Sequence, residues 1–212
     1  MRRPHLILMM MLSFVCSGSA AGLELTNWHT YESDRLHIRI EYPDTFKCIT
    51  ELPLPFRSHI WSRAEADSIM NQWSVKNLLA TIVFSPSETN HQAPLIVVRV
   101  FKNPEELDLL ATKEQILRAD GHAAKDLYES RIDSIKVESA PGVRIDLWRI
   151  HEGKRKLASR YYLIQESSQV YSLEFKNPED RRNGVPVMDW IVHSESTVNR
   201  VVTSLRFPYV YD

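Results

Sequence analysis

The sequence predicts an α+β fold, an antiparallel β-sheet meander flanked by helices, and three observations carry that prediction. Apolar and polar residues alternate with the period of a strand at residues 36–42, and four short apolar segments separated by turn residues follow one another through the C-terminal half. Residues 78–84 and 95–101 are near-continuous runs rich in β-branched side chains, the pattern of strands buried within a sheet. Met188, Ile191, Val192, Val198, Val202 and Leu205 recur at helical spacing close to the C terminus. Composition agrees: of 212 residues, 43% are hydrophobic and 25% charged, which excludes a disordered chain, a collagen and a coiled-coil rod. With Lys+Arg 26 against Asp+Glu 27 there is no basic surplus to recruit nucleic acid or an anionic membrane.

The N terminus reads as a targeting segment. Arg2 and Arg3 precede an apolar stretch from Leu6 to Val15, and Gly18-Ser19-Ala20 supplies small residues for cleavage, so a secretory signal peptide over residues 1–20 is expected. The apolar stretch is about half the ~20 residues needed to span a bilayer. Removal takes Arg2 and Arg3 but no acid, leaving the mature chain two charges more negative than the −1 of the full sequence. Cys16 leaves as well, and Cys48 remains as a single thiol, read as a small buried residue beside Ile49. No later stretch is apolar enough to cross a membrane, and residues 21–212 are expected to form one domain, periplasmic or secreted.

In chain order, Leu36, Ile38, Ile40 and Tyr42 form one face of a strand, Pro43-Asp44 turns the chain, and Phe46 and Cys48 start a second arm that Pro53 and Pro55 end. Ala66, Ile69, Met70 and Trp73 mark a short amphipathic helix over 64–73. The two β-branched runs make a hairpin around the polar stretch 85–90. Asn103-Pro104-Glu105-Glu106 has the cap, first-turn proline and acids of a helix start. The meander strands are placed at 132–137, 143–150, 157–164 and 170–175, joined at Ala140-Pro141-Gly142, His151-Glu152-Gly153 and Glu166-Ser167-Ser168. One long helix is expected over 187–204. Phe175-Lys176-Asn177-Pro178 nearly repeats Phe101-Lys102-Asn103-Pro104, and is read as two similar strand-to-helix signals rather than a duplication.

A strand ending in Tyr42-Pro43-x-x-Phe46, late strands reading Tyr161-Tyr162-Leu163-Ile164 and Val170-Tyr171-Ser172-Leu173-Glu174-Phe175, and a close in Ser204-Leu205-Arg206-Phe207 together resemble the PsbP-like family. That family includes the lumenal extrinsic protein of photosystem II. The resemblance implies an antiparallel sheet between helical layers, an α/β/α sandwich, and a non-enzymatic accessory or binding role. It transfers no catalytic or metal-binding residue onto this chain.

Chemical motifs are sparse. The sequence has no Gly-x-Ser-x-Gly elbow, glycine-rich phosphate loop, Cys-x-x-Cys or His-Glu-x-x-His. Two acid–histidine pairs stand at helical spacing, His122 with Asp126 and Asp189 with His193, and a metal site would need them to converge. His193-Ser194-Glu195 has the residue types of a hydrolytic triad, but consecutive helical residues point about 100° apart and cannot form the relay. Arg149, Lys154, Arg155 and Lys156 gather at one hairpin tip, read first as an ordinary solvated turn and second as a landing place for an acidic partner. Tyr209 and Tyr211 lie beyond the last helix and are expected to pack back on the domain. No residue is assigned a catalytic, cofactor or metal role, and no cofactor is implied. The expected function is an exported accessory that binds a protein or a small ligand, with two alternatives: a hydrolase or transferase with dispersed site residues, or a metal-binding accessory.

Overall fold

In the computed structural model, the described residues are 27–52, 76–86, 94–103, 107–119, 128–178, 186 and 188–208. The expected signal peptide, the helix at 64–73 with Trp73, His122, Asp126, Tyr209 and Tyr211 lie outside them. The chain opens with β1 (Trp28–Ser33), a 3-10 turn (Asp34–Leu36) and β2 (Ile38–Pro43), which pair into a two-stranded ribbon. His37 takes φ 49° between them. After a turn at Asp44 and Thr45 come β3 (Phe46–Leu52), β4 (Leu78–Pro86) and β5 (Leu95–Lys102). The turn read at Pro43-Asp44 falls one residue later, since Pro43 still pairs in β2, and its two arms do not pair with each other: β3 leaves the ribbon and pairs with β4 in a second sheet.

Helix α1 (Leu109–Ala119) then leads to the meander β6 (Tyr128–Val137), β7 (Ala140–His151), β8 (Lys154–Glu166) and β9 (Gln169–Lys176). Seven strands share one antiparallel sheet in the order β3-β4-β5-β9-β8-β7-β6. This is the α+β architecture expected from the alternation. The β6–β7 turn departs from the reading: it falls on Glu138 and Ser139, with Glu138 at φ 54°, and Ala140, Pro141 and Gly142 belong to β7. Pro141 fits there because the β7–β8 ladder starts at Gly142, so no partner on that side needs its missing N–H. At Gly142 the strands approach so closely that a Cβ would stand 2.8 Å from the Leu163 carbonyl oxygen.

The sheet's two faces carry different cores. On one, Ile82, Phe84, Ile96, Val98, Leu173 and Phe175 pack with Ile38 and Ile40 of the ribbon and with helices α2 (Trp190–His193) and α3 (Glu195–Thr203). Each such fully buried side chain contributes about 1.5–3 kcal/mol. On the other, Ile145, Leu147, Tyr161 and Leu163 meet Ile116 of α1. The long helix expected over 187–204 is two helices that begin at Trp190 and break at Ser194. Ser194 ends α2 with its N–H donated to the Trp190 carbonyl, and its own carbonyl accepts from Val198 in α3. The break lets Ile191 and the Val198, Val201 and Val202 stripe reach the same core.

Helix α3 is tied to the ribbon by polar contacts. The Ser204 hydroxyl accepts from Glu41 N at 2.9 Å, and Arg200 lies 4.1 Å from the centre of the Trp28 ring while pairing with Glu41. Arg206 continues the ribbon by a two-way backbone bridge to Arg39.

The two Phe-Lys-Asn-Pro segments leave adjacent antiparallel strands, β5 and β9, at opposite ends. Both asparagines are buried and extend a ladder, Asn103 N donating to Ser168 and Asn177 N to Ala158. Asn103 does not cap α1 as expected. Its side-chain amide clasps the N–H and C=O of Leu107, and Asp108 caps the helix by accepting from Ala111 N at 2.7 Å.

Candidate functional site

The tip of the β7–β8 hairpin is a two-residue turn in which Glu152 and Gly153 both take positive φ, 50° and 72°, the geometry that matches strand twist. It sets Arg149 opposite Lys156, Ile150 opposite Arg155, and Trp148 opposite Leu157. The expected basic cluster is thus real, and its members do different things. The Arg155 guanidinium sits 5.3 Å from the centre of the Trp148 ring, and Lys156 Nζ donates to the Pro186 carbonyl at 3.0 Å. Between hairpin and α2 lies a shallow recess of about 140 Å³ lined by Arg155, Lys156, Leu157, Pro186, Met188 and Asp189. Met188 is 57% exposed at its rim, and Val192 and Ile150 are exposed nearby in the chain. Cationic heads beside accessible apolar side chains suit an acidic, partly apolar ligand group.

Asp189 and His193 do not form a metal pair. Asp189 Oδ1 accepts from Val192 N and from Asn177 Nδ2, so the carboxylate caps α2, and His193 Nδ1 contacts the backbone oxygen of Asp189. His193, Ser194 and Glu195 likewise diverge, since Glu195 points to Arg160. Among the described residues no three His, Cys, Asp or Glu side chains gather in a metal-binding arrangement. Cys48 is exposed, contrary to its reading as a buried residue. It lies on edge strand β3, in register with buried Phe46 and opposite Phe84, and a register shift follows it between Cys48 and Thr50.

The ionisable groups inside the sheet are engaged with one another. Arg160 donates to both oxygens of Asp146, at 2.6 and 3.0 Å, and to Glu195 at 2.6 Å. Burial alone would lower the pKa of this guanidinium, but its bonds to Asp146 and Glu195 prevail and hold it above the ordinary arginine value. On the opposite face Glu174 accepts from Arg99 at 3.1 Å and from Ser159 at 3.2 Å. Arg144 pairs with Asp133, whose carboxyl that hydrogen bond keeps below its usual pKa. Burial raises the hydroxyl pKa of Tyr162 beside this network. Such closed pairs hold charge in place and offer no activated nucleophile.

No protein-family model matches the sequence, and no curated protein matches it. Among solved structures, the cyanobacterial PsbP of Synechocystis sp. PCC 6803 superposes with a TM-score of 0.53 at 9% identity, covering 91% of this chain and 99% of that one. The fold is PsbP-like. Two more distant likenesses are a putative regulator of unknown function from Pseudomonas aeruginosa (TM-score 0.42, 13% identity, 87% of this chain and 99% of that one) and LpqN of Mycobacterium tuberculosis, involved in cell envelope biogenesis (TM-score 0.41, 12% identity, 81% and 83%). Within the PsbP-like fold of this chain, the basic residues of the recess were legible from sequence as a cluster. The recess itself was not, because Met188 and Pro186 reach it from a segment about 30 residues further along. The stacking of Arg155 on Trp148 had a signal: counting outward from a two-residue Glu-Gly turn brings the two to neighbouring register positions. Among the described residues no helix is long and apolar enough to cross a membrane.

Proposed function

We propose that this chain is an exported, non-enzymatic binding or assembly accessory protein, periplasmic or secreted, that engages a protein or small-ligand partner through the face beside the β7–β8 tip. The observation that carries the reading is the amphipathic recess, with Arg155 and Lys156 on one side and the accessible Met188 on the other. Its volume of about 140 Å³ is below the ~300–1,000 Å³ of pockets that enclose a small-molecule substrate, and it suits one inserted side chain or ligand group. The pairing of Arg160, Asp146 and Glu195, and of Arg99 and Glu174, supports the same reading, since those groups serve the fold. The leader with Arg2, Arg3 and Gly18-Ser19-Ala20 supports export with removal of residues 1–20.

The full chain expressed in a bacterial host, fractionated and sequenced from its N terminus, is expected to yield an extracytoplasmic product beginning at Ala21. A cytoplasmic product that keeps residues 1–20 would refute export. Arg155→Glu combined with Met188→Asp is expected to weaken a partner cross-linked in that compartment by about tenfold or more while leaving the melting temperature near wild type. Turnover of an ester, peptide, glycoside or phosphate substrate by the purified protein, abolished by replacing one polar residue, would replace this reading with an enzymatic one.

A further inference from the structure

The outer strand β6 carries charged residues, Glu129, Arg131, Asp133 and Lys136, but none of the backbone protections of a sheet edge. It is ten residues long, contains neither glycine nor proline, and pairs with β7 along its whole length without a register shift. Edge strands are ordinarily short, bulged, interrupted by proline, covered or charged, because their outward N–H and C=O groups invite another strand, and charge of both signs repels a second strand only in registers that set like against like. The opposite edge, β3, does carry a register shift. Ser130, Arg131, Ile132, Ser134 and Lys136 of β6 are all exposed, so the edge is open to solvent. Ile132 is a large apolar residue left 39% exposed there.

The residues at the centre of β6 are complementary to themselves. Two β6 strands laid antiparallel about a twofold axis through Ile132 set Arg131 of each copy opposite Asp133 of the other, Ser130 opposite Ser134, and Ile132 opposite its twin. Opposite charges directly across a ladder contribute about 0.2–1 kcal/mol per pair, and like charges destabilise. The neighbouring registers that keep side chains on their faces centre on Arg131 or on Asp133, and each sets a charge against itself. Arg131 and Asp133 of one chain already pair on one face at 3.3 Å, and the Arg131 side chain is 68% exposed, so it can exchange that pairing for Asp133 of a partner across the edge.

We propose that β6 pairs with β6 of a second copy of this chain, antiparallel about Ile132, fusing two seven-stranded sheets into one continuous sheet. The contact is isologous and smaller than a standard interface, so the dimer is weak and dependent on concentration.

The test uses the full mature chain carrying Cys48→Ser, which removes the exposed thiol as a source of dimers. Sedimentation velocity over a micromolar-to-millimolar series is expected to show a monomer–dimer equilibrium. Arg131→Asp sets Asp against Asp133 and is expected to weaken it by about tenfold or more. Asp133→Arg acts likewise, and an equimolar mixture of the two variants is expected to restore dimers, since each then meets its opposite charge. Ile132→Cys is expected to cross-link to itself under mild oxidation. This variant and Arg131→Asp remove no buried partner, so they keep the test valid if Asp133→Arg, which breaks the Arg144 bridge, fails to fold. A monomer at every concentration would overturn the proposal, as would dimers unaffected by Arg131→Asp or an Ile132→Cys chain that never cross-links.

Discussion

Arg160 occupies a strand position where burial on both faces would ordinarily select an apolar side chain. Its neighbours Tyr161, Tyr162, Leu163 and Ile164 are all buried and apolar or aromatic. The charge is tolerated because Asp146, directly across on β7, and Glu195, above it on α3, close around it. Arg160→Met is therefore expected to cost about 3–5 kcal/mol, because it strands the buried Asp146 carboxylate. Glu195→Gln, at a side chain 43% exposed, is expected to cost only about 0–1 kcal/mol. Urea midpoints at neutral pH measure both, and equal losses would refute this division of roles. Asp146→Leu added to Arg160→Met is expected to recover much of the loss, since a well-packed apolar pair often matches a buried ion pair. None of this was legible in the sequence: Arg160 and Asp146 are 14 residues apart, and only the bulged β7–β8 register makes them neighbours. Cys48 keeps the register of buried Phe46 and is still exposed, because β3 is an edge strand and alternation there does not ensure that a face is covered.

At the scale of elements, strands with strong alternation or β-branched runs were legible, and those whose neighbours define them were not. β1 was missed because Trp28 and Tyr31 are its only large apolar residues and its burial does not alternate. Helical periodicity predicts one helix over 187–204, because a break of one residue at Ser194 barely disturbs the apolar stripe. The start of α2 is set by a residue far back in the chain. Asn177 Oδ1 accepts from Ile191 N at 2.9 Å, while its Nδ2 donates to the Leu157 carbonyl and to Asp189 Oδ1. Asn177 thus gives a capping acceptor, beside the Asp189 cap, to a helix that begins 13 residues later at Trp190 rather than directly after the Asn-Pro segment. Asn177→Ala orphans a buried N–H and a buried carbonyl, and is expected to cost about 1–3 kcal/mol. Amide hydrogen exchange locates the effect: protection should fall at Ile191 and through α2 while the centre of β5 keeps its own. A loss spread evenly over the sheet would instead mark Asn177 as a general core residue.

The assembly of the layers depends on contacts between distant segments, and there the sequence is least informative. A C-terminal meander could be read from its turns, but not that β9 would close against β5, or that the ribbon would cover the face shared with α3. Tyr171 joins these parts. Its ring packs 4.8 Å from that of Phe207 at the end of the chain, and its hydroxyl donates among the Gln169 side chain at 2.7 Å and the carbonyls of Leu36 and His37 at 3.1 Å. Burial, reinforced by the negative charge of Glu166, raises this hydroxyl well above its ordinary pKa of 10.0. A pKa raised in the folded state contributes stability that is complete below the unfolded value and is lost as pH climbs towards the folded one. The unfolded tyrosine ionises first, so the fold should weaken steadily above about pH 10. Tyr171→Phe keeps the ring and removes the titrating group. At neutral pH it is expected to cost about 0.5–1.5 kcal/mol for the lost hydrogen bond. Above about pH 10 its stability should fall less steeply than that of the wild type, with Tyr162, also raised by burial, sustaining part of the decline. Denaturant unfolding of both proteins from about pH 7 to pH 12 tests this, and parallel curves throughout that range would show that Tyr171 does not couple the layers to alkaline titration.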